Sequence, residues 1–357
     1  MQLDQITFTR FIAALTVVFF HYGQSVFPAN IPFLFENIIA GPIAVGYFYV
    51  LSGFIMAIAY YQPGKKDQIN INKTKYWIAR FARIYPVYLL ALLIIVAAKF
   101  KDLAGNWQEL PLHLTLLQSW IPGYPITLNT PGWSLSVEAF FYLCFPFLLI
   151  WVYKLGTKSL AIFTVILWLA TQLILLSQLN SSEYLPKSLL HDFIYYNPLM
   201  HLNSFVAGLV CGIYFKKNPN TNQNNNSLWL ILSLGLIFLL IWGRPHLETL
   251  LNIKLAFTNG LLAPFFLLFI VLLAKHKGVI TKLFSASWLI LLGEASYSLY
   301  ILQKPVHGIY DKVIMPRFSA SETIHFYIFL ILLIIISILS YKYFETPIRK
   351  IIRRKLS

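Results

Sequence analysis

A charged or imidazole side chain within an apolar helix costs a few kcal/mol in hydrocarbon, so it requires a partner, a cavity or a chemical task. Four residues of this chain stand in that position: Arg10, His21, Glu138 and Glu294. Arg10 and His21 are eleven residues apart in one apolar run. That is three helical turns and a fraction, which puts them on a shared face about 16 Å apart along the axis. A guanidinium at one end of such a path can hold an anion, and an imidazole at the other can take up a proton. The same spacing suits a snorkelling arginine and a histidine that only packs.

The run Gly132, Trp133, Ser134, Leu135, Ser136, Val137, Glu138 opens another apolar segment from the side opposite Arg10. It sets Glu138 about 7 to 8 Å below that boundary, a depth that His21 should share. A carboxylate within hydrogen-bonding reach of a histidine fixes the imidazole tautomer and stabilises its protonated form, as a general base for hydroxyl attack requires. His21 and Glu138 are thus the expected catalytic pair, a structural partnership of Glu138 with a Lys or Arg being the alternative. Trp133 and Tyr142 suit an aromatic belt or a helix interface unless they line the pocket with Ser134. Arg80 and Arg83, three residues apart before a third apolar run, share a face on which phosphate could be held in bidentate fashion. Ordinary positive charge at a membrane boundary accounts for them equally. The stretch from Gly293 to Pro305 carries Tyr300 and Gln303 among other polar side chains in an apolar context, as a substrate channel or a closely packed helix pair would. No metal-ligand spacing or phosphate-binding glycine loop occurs, and Leu51, Ser52, Gly53 lacks the flanking glycines of a nucleophile elbow.

These residues need a membrane scaffold to position them. The chain is 58% hydrophobic and 11% charged, so lipid must cover most of its outside. Apolar runs beginning near Phe8, Ile39, Ile84, Trp133, Leu160, Leu199, Leu228, Leu255, Ala286 and Thr323 are each about 16 to 22 residues long, which predicts a bundle of about ten transmembrane helices. The fold class expected is all-α. Lys65, Lys66, Lys73, Lys75, Arg80 and Arg83 crowd 61–83, whereas 24–38 has no Lys or Arg. Alternating on, Lys154 and Lys158, Lys216 and Lys217, Lys275, Lys277 and Lys282, and the basic tail from Arg349 to Lys355 all fall on the cytoplasmic side, with both termini. This distribution explains the net charge of +15 better than nucleic acid does. The outward connections are then 24–38, 101–132, 179–197, 244–254 and 305–322. Residues 1–357 read as one domain, in which the Asn-rich 218–226 is a flexible cytoplasmic linker. Arg10 is the sole early basic residue and no small-residue cleavage site follows, so the first run is expected to stay as a helix. Cys144 and Cys211 lie in apolar segments and read as packing residues.

In combination and order, these motifs resemble the acyltransferase 3 family of integral-membrane acyltransferases, from Arg10 to Pro347. The resemblance rests on Arg10 with His21, the aromatic-rich Tyr47 to Phe54 segment, Arg80 and Arg83 followed by Tyr85 and Pro86, Trp133-Ser134-Leu135 with Glu138, and Glu345 to Pro347. Two positions depart from the pattern: His201 stands where an Arg is often seen, and Gln303 where a His is common. The departure at Gln303 assigns it to binding, not to proton transfer. What the resemblance implies is a bacterial inner-membrane enzyme that takes an acyl group, commonly acetyl, from cytoplasmic acyl-coenzyme A to sugars on the outer side. Arg10, Arg80 and Arg83 would hold the coenzyme A phosphates, and His21, oriented by Glu138, would deprotonate the acceptor. Trp133, Ser134, Tyr142, Tyr300 and Gln303 would contact substrate. No tightly bound cofactor and no metal are expected; the partners are acyl-coenzyme A, a carbohydrate acceptor and membrane lipid. A permease or flippase using the same polar path without covalent chemistry is the competing reading.

Overall fold

The computed structural model describes residues 3–64, 72–100, 107–218 and 227–356. Lys65 and Lys66 of the expected basic loop, and all but Asn218 of the expected linker 218–226, lie outside the described residues. Among the described residues there are sixteen α-helices and no β-strand. Six helical stretches are long and apolar enough to cross a membrane. They are α3 (Pro42–Tyr60), α4 (Lys73–Ala98), α6 (Trp133–Leu155) and α7 (Thr157–Leu179), then α9 (Leu202–Lys217) with its lead-in α8 (Leu189–Tyr196), and α15 (Glu322–Ser340) continuing into α16 (Thr346–Leu356). The bent pair α10 (Leu228–Trp242) and α11 (Arg244–Leu251), which turn by 54° between them, make a seventh if counted as one span. The chain is a multi-pass membrane protein.

Each of the ten expected runs contains a helix, but three fall short as spans. Helix α12 (Ala263–Lys275) is short. Helices α1 (Asp4–Tyr22) and α14 (Ser287–Ile309) have 19 and 23 residues, long enough on length alone. Their apolar character is diluted by Asp4, Arg10 and His21 on one and by Glu294, Gln303 and Lys304 on the other. Polar side chains at such depth are tolerated inside a bundle, not against lipid, and α1 and α14 pack on each other. A Cβ on Gly293 would come within 2.2 Å of the Thr7 carbonyl oxygen, so the absent side chain lets the two backbones touch. The pair α3 and α9 is equally close: a Cβ on Gly53 would meet the Phe205 carbonyl, and one on Gly208 the Val50 carbonyl, both at 2.0 Å.

Prolines fix where neighbours dock. Pro146 within α6 and Pro305 within α14 each lack the N–H that would bond the carbonyl four residues earlier. The freed carbonyl of Tyr142 accepts from Trp77 Nε1 of α4 at 3.1 Å, and that of Ile301 accepts from Asn129 Nδ2 at 3.2 Å. Asn129 belongs to the segment between α4 and α6, expected as an outward loop. It dips instead into the protein: Gln118 and Asn129 are fully buried, Gln118 Nε2 donates to Gly132 O at 2.9 Å and Ser119 Oγ to Trp133 O at 2.8 Å. The buried apolar residues form two main clusters, one drawing on α4, α6, α9, α14 and α15 and one on α10 and α12. Both α1 and α3 contribute to each cluster, and the polar residues gather at this seam.

Candidate active site

Arg10 of α1, Arg80 and Arg83 of α4, and Glu138 and Tyr142 of α6 meet around one cavity of about 130 Å³. Tyr49 and Met56 of α3, Ser134 of α6, and Ser296, Tyr297 and Tyr300 of α14 complete its wall. Spacing explains the convergence: Arg80 with Arg83, and Glu138 with Tyr142, are pairs three and four residues apart, which share a helix face. Helix α4 starts at Lys73, well before the expected Ile84, so Arg80 and Arg83 project from within a helix into the bundle. Both thus lie within the helix rather than in the turn that precedes it.

The three guanidinium groups have no ion-pair partner among the described residues. Arg80 is surrounded by rings. Its guanidinium carbon lies 5.7, 5.8 and 5.9 Å from the centres of Tyr60, Tyr76 and Tyr142, within cation–π range. One terminal nitrogen donates to the Tyr60 hydroxyl at 3.3 Å, the other is 3.8 Å from Met56 Sδ, and the buried Nε has no partner. Glu138, the one carboxylate in the cavity wall, accepts a hydrogen bond from Tyr142. Together with Glu294 and Glu345 it acts on Arg10 and Arg83 only at longer range. Three guanidinium groups thus face one wall carboxylate, an arrangement chemically able to take an anion.

His21 is elsewhere. Its Nδ1 lies 2.8 Å from Gln303 Oε1, and no contact joins it to Glu138 among the described residues. The expected His21–Glu138 contact is therefore corrected. Its failure has a physical reason: the buried segment carrying Gln118, Ser119 and Asn129 covers the start of α6, so Trp133 begins that helix inside the protein, and Glu138 faces the arginine cavity with Tyr142. Gln303 is itself fully buried and donates from Nε2 to the Tyr300 carbonyl at 2.7 Å. Beside it, Lys304 Nζ donates to Thr130 Oγ1 at 2.6 Å, and Tyr22, next to His21, stacks on His307 with ring centres 4.0 Å apart.

Of the residues expected to meet substrate, Ser134, Tyr142 and Tyr300 line the cavity, with the Ser134 and Tyr300 hydroxyls joined at 2.9 Å. Trp133 does not: it is buried against Tyr196 and His201, at 5.0 and 5.5 Å between ring centres. His201 is buried as well, its Nε2 donating to the Tyr195 carbonyl at 2.9 Å. Sequence reasoning missed Tyr60, Tyr76 and Met56. Tyr76 precedes Arg80 by four residues, as Met56 precedes Tyr60, a face-sharing signal that was open to reading. That α3 brings Met56 and Tyr60, and α6 brings Tyr142, to Arg80 of α4 is a meeting of helices that no local spacing announces.

Comparison with known proteins gives the family. The family profile described as "Acyltransferase domain" matches residues 3–342. An acyltransferase of Streptomyces mycarofaciens, MdmB, is 38% identical over 157 residues, covering 41% of this chain and 39% of that protein. A putative O-acetyltransferase of Staphylococcus aureus is 24% identical over 379 aligned positions, covering 96% of this chain and 56% of that protein. An uncharacterised protein of Haemophilus influenzae is 25% identical over 231 residues, covering 60% of this chain and 90% of its own length. The chain thus spans about half or less of the length of the first two relatives. No solved structure matches it. With nearly its whole length matched by that profile, the chain belongs to this acyltransferase family.

Proposed function

We propose that the chain moves an acyl group, acetyl in the simplest case, from cytoplasmic acyl-coenzyme A to a hydroxyl of an extracytoplasmic carbohydrate. The observation that carries this reading is the convergence of Arg10, Arg80 and Arg83 on one cavity without an ion-pair partner among the described residues. Phosphate groups satisfy such guanidinium forks, and coenzyme A brings several. In this reading the phosphates lie at the arginines and the arm of the coenzyme runs along α1 toward His21, a distance of about 16 Å. His21 Nε2 takes the proton of the acceptor hydroxyl as its oxygen attacks the thioester carbonyl. The carbon–sulfur bond then breaks and the thiolate leaves with that proton, so the products are the ester and the free thiol. Glu138 remains a site residue at the arginines, keeping the empty cavity from holding three uncompensated charges. The ten helical segments would cross a bacterial inner membrane with both termini in the cytoplasm, as the Lys and Arg distribution indicates.

Purified protein in liposomes, given acetyl-coenzyme A labelled in the acetyl group and a glycan acceptor, tests this. Label in ester linkage to the glycan is expected. Movement of intact acceptor or coenzyme across the bilayer with no covalent change would overturn the reading in favour of a carrier. His21→Ala should lower transfer by at least a hundredfold with helix content by circular dichroism unchanged; full activity in that variant would remove His21 from the mechanism.

A further inference from the structure

We infer that Gln303 is a positioning residue that sets the tautomer of His21, the task the sequence assigned to Glu138. This inference deepens the proposed acyl transfer and rests on His21 acting as its base. Gln303 Nε2 donates to the Tyr300 carbonyl at 2.7 Å, and only a nitrogen can donate to a carbonyl, so the orientation of the amide is fixed by its own helix. Its Oε1 is then the atom that faces His21 Nδ1 at 2.8 Å. An amide oxygen only accepts, so Nδ1 carries the hydrogen and the lone pair is on Nε2. The anchor is rigid: Gln303 is fully buried, and the Tyr300 side chain is held in turn by Ser134.

Such a ring is a base at Nε2 whose partner has no charge. The charged group closest in influence on His21 is Lys304 of α14; the His307–Asp311 pair, joined at 3.0 Å, lies beyond the Tyr22 ring, and Arg10 is the cation further down α1. A neutral orienter aligns the ring without the stabilisation of imidazolium that a carboxylate would add. Replacing Gln303 with Glu therefore keeps an oxygen at Nδ1 while adding a negative charge, and replacing it with Leu removes the oxygen.

The test combines ¹⁵N-histidine NMR of the full chain in detergent micelles with turnover of acetyl-coenzyme A across pH. A His21→Asn variant assigns the His21 signals and serves as the catalytic control. The wild-type ring is expected as the Nδ1–H tautomer, and Gln303→Leu should move it to a mixture or to Nε2–H. That variant should lose on the order of a hundredfold in kcat with KM for acetyl-coenzyme A unmoved. Gln303→Glu should restore part of kcat and shift the acid limb of the pH–rate profile upward by about one unit, because the added charge favours the protonated, inactive ring. A wild-type Nε2–H ring, a tautomer indifferent to Gln303→Leu, or an unshifted acid limb in Gln303→Glu would each overturn the assignment. Full turnover in His21→Asn would overturn the catalytic role through His21, while the tautomer measurement still reports separately on the hydrogen bond.

Discussion

Arg80 shows how a guanidinium can be held in a low-dielectric interior without being neutralised. Rings supply the attraction that a carboxylate would otherwise supply, and neither terminal nitrogen is tied up in an ion pair, so each keeps an N–H for a ligand. Converting Arg80 to Lys keeps the charge but loses both the planar stacking and the bidentate fork. Arg80→Lys should therefore weaken binding of acetyl-coenzyme A nearly as much as Arg80→Ala, on the order of tenfold or more for a lost charge-assisted bond. Isothermal titration with both variants checks this, and a Lys variant of wild-type affinity would show that net charge alone is read. Much of this cluster was legible in the sequence. The offsets of eleven from Arg10 to His21, three from Arg80 to Arg83 and four from Glu138 to Tyr142 are all intrahelical relations, which helical geometry turns into faces. The partner of His21 was not legible, because Gln303 lies 282 residues away and meets it only through the packing of two helices. The packing of Trp133 was not legible for a related reason: its burial against Tyr196 and His201 depends on a neighbouring segment that has no periodic pattern.

At the scale of elements, the contact between α1 and α14 decides whether His21 reaches Gln303, since each helix supplies one of the two. Gly293 sets how closely those helices approach. A methyl group there would meet the Thr7 carbonyl oxygen at 2.2 Å and the carbonyl carbon at 2.5 Å, both backbone atoms that cannot rotate away. Gly293→Ala should therefore cost about 1–3 kcal/mol through overpacking, lowering Tm in detergent and transfer activity together. Gly308, on the same helix with open space around it, provides the comparison: Gly308→Ala should leave both unchanged. Equal behaviour of the two variants would mean that the backbone separation is not what holds the pair. The helices themselves were readable as apolar runs, but their fitness as spans was not uniform. Helices α1 and α14 lose apolar character to the very side chains that make them interesting, and the segment preceding α6 is polar enough to pass for an exposed loop. Its Asn129 meets the Ile301 carbonyl that Pro305 leaves without a helix donor, and its Gln118 donates to the Gly132 carbonyl, pairings invisible until the fold is assembled.

For the molecule as a whole, the question is from which side of the membrane the arginine cavity is served. Helix α16 packs on α4, and Glu345, just before α16, acts electrostatically on both Arg83 and Arg349. The C-terminal helix and the arginine-bearing part of α4 thus belong to the same end of the bundle, so locating one locates the other. The basic residues Arg349, Lys350, Arg353, Arg354 and Lys355 favour the cytoplasm for that end, where positive loops are retained. Cysteine labelling in intact cells decides it, starting from a background in which Cys144 and Cys211 are replaced by Ser. Glu183→Cys, at an exposed position between α7 and α8, should react with a membrane-impermeant maleimide before lysis. Lys350→Cys, exposed on α16, should react only after it. The reverse pattern would turn the three guanidinium groups toward the outside, away from cytoplasmic acyl-coenzyme A. The anion they hold would then have to come from the acceptor, because a donor confined to the cytosol could not reach that end of the bundle.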